Sequence, residues 1–237
     1  MGLSAGAPNE RLKELTTAHV ADACLRLGVP VRCGPQMLRP ATPGMRASGR
    51  VRPVRHFGSV DVFLEALEET PSGSILVVDN EARLDEACVG DLVTLEAKGA
   101  GLAGIVIWGL HRDSREIAEI GLPLFSLGPL PTGPQRLDAR PADVFGWARV
   151  GAHVVTADDV AMADADGVLF VPESRLDEIV AAAAAIRETE HRQAEAMRAG
   201  QKLREQLRFR EYLARRASDV NYGFRQHLRE IGAAIEE

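Results

Sequence analysis

At 237 residues the chain has room for one domain, or at most two, and for a core that needs no disulfide or metal staple. Its 28 Lys and Arg against 34 Asp and Glu leave a net charge of −6 and a pI of about 5.6, which argues against a partner held by counterion release such as duplex DNA. With 46% hydrophobic and 26% charged residues, its apolar runs are interrupted too often for a membrane span. Met1-Gly2-Leu3-Ser4 opens no secretory signal. Cys24, Cys33 and Cys88 have neither the even count of a disulfide framework nor C-x-x-C spacing. The expectation is a cytoplasmic protein with no nucleic-acid and no membrane partner.

In chain order, Leu15, Val20, Cys24 and Leu27 recur at helical spacing, so a first helix is expected over Glu14 to Leu27, with Thr16 or Thr17 as cap and Gly28 as stop. A strand at Gly49 to Arg55 and a short helix at Val60 to Glu69, capped by Ser59, come next. Ile75-Leu76-Val77-Val78-Asp79 is apolar at consecutive positions, the mark of a strand buried on both faces. A helix from Asp91 to about Lys98, a strand Ile105 to Trp108, a helix Asp113 to Ile120 and a strand Leu122 to Leu127 continue the alternation, which implies a sheet with crossover helices. Beyond the Pro- and Gly-rich stretch Gly128 to Pro141, strands are expected at Ala148 to Val155, Asp159 to Asp164 and Val168 to Val171, with Asp166-Gly167 as a hairpin turn. The fold class is thus α/β with an added antiparallel β layer. From Pro172 the composition turns to Ala, Arg and Glu, with helical stretches Ile179 to Met197 and Leu203 to Arg216. An α/β domain over 1–172 and a helical arm over 173–237 are therefore expected. The arm's Leu203, Leu207, Phe209, Tyr212, Leu213, Phe224, Leu228, Ile231 and Ile235 are expected to pack on a neighbouring subunit.

Gly99-Ala100-Gly101-Leu102-Ala103-Gly104 matches G-x-G-x-x-G, yet it follows a helix and leads into a strand, the reverse of a dinucleotide site; it reads as a helix stop and close packing. Asp91 and Asp113 are more informative. Singly, each reads as a helix N-cap, and Asp113 with Glu116 as a capping box. Together they stand at two helix starts fed by one sheet, where open α/β folds place ligands. The N–H groups of Leu92 and Val93 would face a bound carboxylate, and Arg112 offers a planar donor fork to a carboxylate or enolate oxygen. A hard divalent cation, Mg²⁺ or Mn²⁺, accepts one or two carboxylates with waters completing its shell, which suits Asp113 as direct ligand and Asp91 as a water-mediated one. Such a site stabilises negative charge developing on a 2-oxo acid. His111 beside Arg112 either lines that pocket or is an exposed loop residue. The other histidines, His19, His56, His153, His191 and His227, are scattered, and the basic residues from Arg204 to Arg216 alternate with Glu205 and Glu211 as on a solvated helix face.

Gly90-Asp91-Leu92-Val93 and Gly109-Leu110-His111-Arg112-Asp113-Ser114-Arg115-Glu116 resemble the RraA-like family, which holds class II 4-hydroxy-4-methyl-2-oxoglutarate aldolases and regulators of ribonuclease activity. Its aldolases carry Asp, twenty residues, Arg-Asp and an acidic residue; here the residues between Asp91 and Arg112 number twenty and Glu116 ends the pattern. Further similarity runs through Thr17 to Asp22, Pro71 to Asp79, Gly121 to Phe125 and Ala163 to Val168. The resemblance implies a swivelling β/β/α fold in a homotrimer or homohexamer, with a divalent metal held by the residue at Asp113 and metal-bound water by that at Asp91. It implies that Arg112 contacts a pyruvyl group whose carboxylate meets the amides from Gly90 to Val93, that the substrate is cleaved to pyruvate and a 2-oxo acid, and that oxaloacetate is decarboxylated. The alternative within the family is a non-catalytic regulator that binds a ribonuclease. The aldolases also use an acidic residue from a neighbour's C-terminal helix, for which Glu188, Glu190 and Glu195 are candidates. His111 departs from an apolar position of the family, and nothing in the chain forms a methyl-donor site.

Overall fold

The structure is a computed structural model, and it describes residues 8–233. They form two compact units, residues 8–18 with 31–177, and residues 19–30 with 178–233. The helices α1 (Pro8–Leu12) and α2 (Thr17–Arg26) come first, then the short strands β1 (Arg32–Cys33) and β2 (Arg39–Pro40). Next are β3 (Ala47–Arg55), α3 (Asp61–Glu68), β4 (Ile75–Asp79), β5 (Ala87–Val89), α4 (Asp91–Gly99), β6 (Gly104–Trp108), β7 (Leu110–His111), α5 (Ser114–Ile120) and β8 (Leu124–Ser126). The strands β9 (Ala148–Val150), β10 (His153–Val155), β11 (Asp159–Asp164) and β12 (Gly167–Pro172) complete the first unit.

Its main sheet has eight strands in the order β1-β12-β11-β3-β4-β6-β8-β2. β3, β4, β6 and β8 are parallel neighbours, and β11, β12, β1 and β2 add antiparallel edges. The sheet is covered on both faces, which explains strands without polar alternation. On one face Leu76, Val78, Ile105 and Ile107 pack with Phe63 and Ala66 of α3, Val93 and Ala97 of α4 and Ile117 of α5. On the other, Ile75, Val77 and Val106 pack with Ala148, Val150 and Val155 of the β9–β10 hairpin. Hairpin, sheet and helices make the β/β/α layering of the expected α/β fold. The hairpin is tied down where Asp79 Oδ2, at the end of β4, accepts the Arg149 N–H at 2.9 Å.

Several boundaries differ from the expectation. The first helix starts at Thr17, because Asp164 reaches across from β11 to take the Thr17 N–H at 2.8 Å and its hydroxyl at 2.7 Å. Ser59 does not cap α3, whose N-cap is Val60 without a side-chain bond. Ala148 to Val155 is two paired strands around a turn at Gly151-Ala152, and the β11–β12 turn is Ala165-Asp166. The glycine run behaves as a stop: Gly101 takes φ +80°, and a Cβ on Gly104 would lie 2.9 Å from both the Ala47 Cβ and the Pro123 carbonyl.

The second unit holds α6 (Leu176–Arg198), most of it, with α7 (Leu203–Gln206), α8 (Phe209–Ser218) and α9 (Phe224–Ile231). The expected single helix Leu203 to Arg216 is broken at Arg208, which takes φ +47°. Phe209, Tyr212, Tyr222, Phe224 and His227 form a ring cluster, and Leu207, Tyr212 and Leu228 are buried within the single chain. Of the side chains expected to face a neighbour, Leu203, Phe209, Phe224 and Ile231 are half-buried and Leu213 is exposed within the single chain; Ile235 lies outside the described residues. No described helix is long and apolar enough to cross a membrane.

Candidate active site

The site depends on β5 and β7, a parallel two-strand pair beyond the ends of β4 and β6. Val89 pairs with His111, and the Arg112 N–H donates to the Val89 carbonyl at 3.0 Å. That register sets Gly90-Asp91 beside Arg112-Asp113 although the chain between them runs through a helix and a central strand. α4 then starts at Asp91 with Gly90 as N-cap, and α5 starts at Ser114 with Asp113 as N-cap.

Asp113 occupies that position without capping its helix: it has φ +61°, makes no side-chain cap bond and forms no capping box with Glu116. Its Oδ2 instead accepts the Asp91 N–H at 3.2 Å and lies 3.4 Å from Arg112 Nε. A left-handed conformation costs a non-glycine residue about 1 kcal/mol or more and persists where the surroundings impose it. Here it aims the carboxylate at the neighbouring segment. Asp91 therefore meets Asp113 through its backbone, and its own Oδ1 accepts the Leu92 N–H at 2.8 Å. The Leu92 amide is thus already engaged, whereas the Val93 N–H has no partner among the described residues.

Arg112 lies between two glycines. A Cβ on Gly90 would collide with Asp113 Oδ2 and come within 3.2 Å of Arg112 Nε, and one on Gly133 would come within 3.0 Å of Arg112 Nη1. The guanidinium is about half exposed, and its terminal nitrogens have no bonded partner among the described residues. It opens onto a pocket of about 450 Å³ whose wall includes His56, Val60, Cys88, Gly90, Asp91 and Leu92. Asp113 stands behind Arg112, outside that wall. Among the described residues no three His, Cys, Asp or Glu side chains cluster as a ready-made metal cage. The donor set is nevertheless hard oxygen: Asp113 Oδ1 has no hydrogen bond among the described residues, and Asp91 is adjacent. That fits a cation which keeps most of its waters.

His111 is neither an exposed loop residue nor part of the pocket wall. It is buried, with Nδ1 2.7 Å from Ser126 Oγ and Nε2 3.1 Å from Ser114 Oγ, so it ties β8 and the start of α5 to β7. Burial pushes its pKa down, opposed by the Asp113 charge. Nothing in the sequence singled out His56, Val60, Cys88 or Gly133; they come from loops and from β5, whose three residues are too few for a pattern to register. Burial pushes the Cys88 thiol above its ordinary range, which disfavours the thiolate a nucleophile needs. His56 is buried against Phe63 with Nδ1 2.9 Å from Asn80 Oδ1, and burial pushes its pKa down while Asn80 and Glu86 pull it up. Of the acidic arm residues, Glu190 pairs with His19 at 3.1 Å, Glu188 with Arg192 at 3.5 Å and Glu195 with His191 at 3.2 Å.

Residues 17–170 match the profile of the RraA-like family, described as Aldolase/RraA. The chain belongs to this family. A 4-hydroxy-4-methyl-2-oxoglutarate aldolase of Thermus thermophilus is 32% identical over 128 residues, 54% of this chain and 77% of that one. Protein DlpA of Legionella pneumophila is 27% identical over 201 residues, 82% of this chain and 32% of DlpA, so the chain spans about a third of that relative's length. Among solved structures, the RraA-like chain is similar to Streptomyces coelicolor RraAS2, described as an unusual member of the RNase ES inhibitor RraA protein family. The TM-score is 0.67 at 26% identity, over 80% of this chain and 96% of that one. The RraA-like fold therefore carries an aldolase among the relatives of this chain and a ribonuclease-inhibitor relative among its structural neighbours.

Proposed function

We propose that the protein is a divalent-metal-dependent carbon–carbon lyase of the class II pyruvate aldolase type. It would cleave 4-hydroxy-4-methyl-2-oxoglutarate-type acids to pyruvate and a second 2-oxo acid, and decarboxylate oxaloacetate. The observation that carries this reading is the β5–β7 register, which brings Arg112-Asp113 against Gly90-Asp91 at the edge of a pocket of about 450 Å³. Similarity to an aldolase supports it. Arg112 would grip the pyruvyl oxygens with its free terminal nitrogens and stabilise the enolate as the bond breaks. The start of α4, with the unengaged Val93 N–H, would receive the substrate carboxylate. Asp113, with Asp91 through water, would hold Mg²⁺ or Mn²⁺, which when bound supplies Lewis-acid polarisation of the 2-oxo group. The working form is a homotrimer or homohexamer, to whose sites Glu188, Glu190 or Glu195 of a neighbouring chain would contribute an acid once released from its present partner.

The test is pyruvate release from oxaloacetate and from 4-hydroxy-4-methyl-2-oxoglutarate, with Mg²⁺ or Mn²⁺ and after EDTA. Release that EDTA and Asp113→Ala both abolish supports the lyase. No release at any metal concentration overturns it and favours a regulator that binds a ribonuclease, the second reading that the likeness to RraAS2 supports.

A further inference from the structure

Asp113 is the strained residue of the site, and the residues on either side of Arg112-Asp113 are joined by a bond between their side chains. His111 Nε2 lies 3.1 Å from Ser114 Oγ, which closes a loop over His111-Arg112-Asp113-Ser114. Its inner members are the residues assigned above to substrate and metal. The His111 residue is only 2% exposed, and its other ring nitrogen, Nδ1, lies 2.7 Å from Ser126 Oγ on β8. Ser126 Oγ also accepts the Gly128 N–H at 3.0 Å. The backbone of His111 is pinned as well, its N–H donating to the Gly128 carbonyl at 3.0 Å and its carbonyl accepting the Leu130 N–H at 2.8 Å. One end of the loop is therefore anchored in buried sheet, while the other, Ser114, is the exposed first residue of α5. A hydroxyl both gives and takes a hydrogen, so these bonds form with either neutral tautomer of the ring. Between the two fixed points Asp113 takes φ +61°, which a non-glycine residue keeps only where its surroundings impose it.

We propose that His111 and Ser114 are positioning residues, whose bond holds Asp113 left-handed and so presents its carboxylate to a divalent cation and Arg112 to the pocket; this rests on the lyase reading above. An aspartate at a helix start ordinarily takes extended backbone and turns its carboxylate onto the amides of its own first turn. Asp113 stands at such a start, but its Oδ2 accepts the Asp91 N–H from the neighbouring segment instead. The loop closed by His111 and Ser114 opposes that relaxation, because extending Asp113 would pull Ser114 Oγ away from a ring that cannot follow. With the bond gone, the carboxylate swings towards α5, leaves the Asp91 amide and no longer faces the cation. Neither side chain touches the substrate in this scheme; both act through Asp113 and Arg112.

The test is Mn²⁺ binding, followed by electron paramagnetic resonance without substrate, beside pyruvate release from oxaloacetate. Ser114→Ala removes the bond from its exposed end. It is expected to weaken Mn²⁺ binding and to lower kcat/KM by about tenfold or more each, the scale seen when a group behind a metal ligand is lost, with a melting temperature within a few degrees of wild type. At position 111 the amide of glutamine falls where Nε2 stood and that of asparagine where Nδ1 stood. His111→Gln therefore keeps the bond to Ser114, and His111→Asn keeps only the bond to Ser126. Each variant loses one hydrogen bond of the ring, yet His111→Gln is expected to stay within about threefold of wild type in Mn²⁺ affinity and His111→Asn to fall as far as Ser114→Ala. Wild-type affinity and release in Ser114→Ala overturn the assignment, as do equal losses in His111→Gln and His111→Asn, which would mark the ring as packing alone. A wild-type protein that binds no Mn²⁺ and releases no pyruvate overturns the lyase reading, and the positioning role with it.

Discussion

At the scale of single residues, Gly90 is a sharper probe of the site than either aspartate. Its backbone lies against Asp113 Oδ2 and the Arg112 side chain so closely that any Cβ must displace one of them. A displacement of about 1 Å at a positioning group costs on the order of a hundredfold in rate, so Gly90→Ala is expected to lose about that much kcat/KM on oxaloacetate. Its melting temperature should change little, since the groups displaced are partly exposed, Arg112 by about half and Asp113 by about a third. Gly133→Ala should cost less, because what it meets is the flexible end of Arg112. Unequal effects in that order, read by steady-state kinetics, check the geometry; equal activity of both variants and wild type would contradict it. His56 yields a second expectation. Burial lowers its pKa in the fold, so the unfolded chain binds the extra proton first as pH falls below about 6.5. Its contribution to stability is complete above that pH and is lost on acidification. Wild type should therefore lose more stability than His56→Gln between pH 7 and pH 5 in urea titrations, and parallel losses would count against this.

At the scale of elements, long apolar strands and the helices between them were legible because burial on both faces leaves an unbroken signature, as in Ile75–Asp79. That Asp91 comes near Arg112 and Asp113 was legible from their place at two helix starts fed by one sheet and from the family resemblance, not from spacing alone. The details were not: that Asp91 meets Asp113 through its amide depends on the φ of Asp113, and no composition shows a dihedral angle. His56 escaped notice because its partners Asn80 and Arg136 are distant in sequence and meet it only in the fold. The start of α2 escaped for the same reason, its cap coming from Asp164 on β11. Asp164→Ala leaves both the Thr17 amide and its hydroxyl buried without acceptors. A loss of about 2–4 kcal/mol is expected in chemical denaturation, from one to two unsatisfied groups. A loss under about 0.5 kcal/mol, the range of an ordinary surface change, would show that the cap matters little.

At the scale of the whole molecule, the surface beside the pocket is more apolar than a monomer needs. Val60 and Leu64 of the α3 region are 53% and 48% exposed, and Leu92 and Leu95 of α4 are 75% and 55% exposed. α3 and α4 lie against each other, and Val60 and Leu92 stand in the pocket wall, so these exposed apolar side chains sit on two neighbouring helices beside the site. Contiguous apolar patches of this kind mark association surfaces on soluble proteins. If the working form is a trimer or hexamer, this patch is where a neighbour would sit. Leu64 and Leu95 lie outside the pocket wall and are about half exposed, so Leu64→Glu with Leu95→Glu gives up little buried surface. The double variant is expected to melt within a few degrees of wild type, to sediment as a monomer where wild type sediments as three or six copies, and to lose most of its pyruvate release. A wild-type monomer with full activity would place the entire reaction within one chain, and would leave the acidic residues of α6 with no task beyond their present pairs with His19, His191 and Arg192.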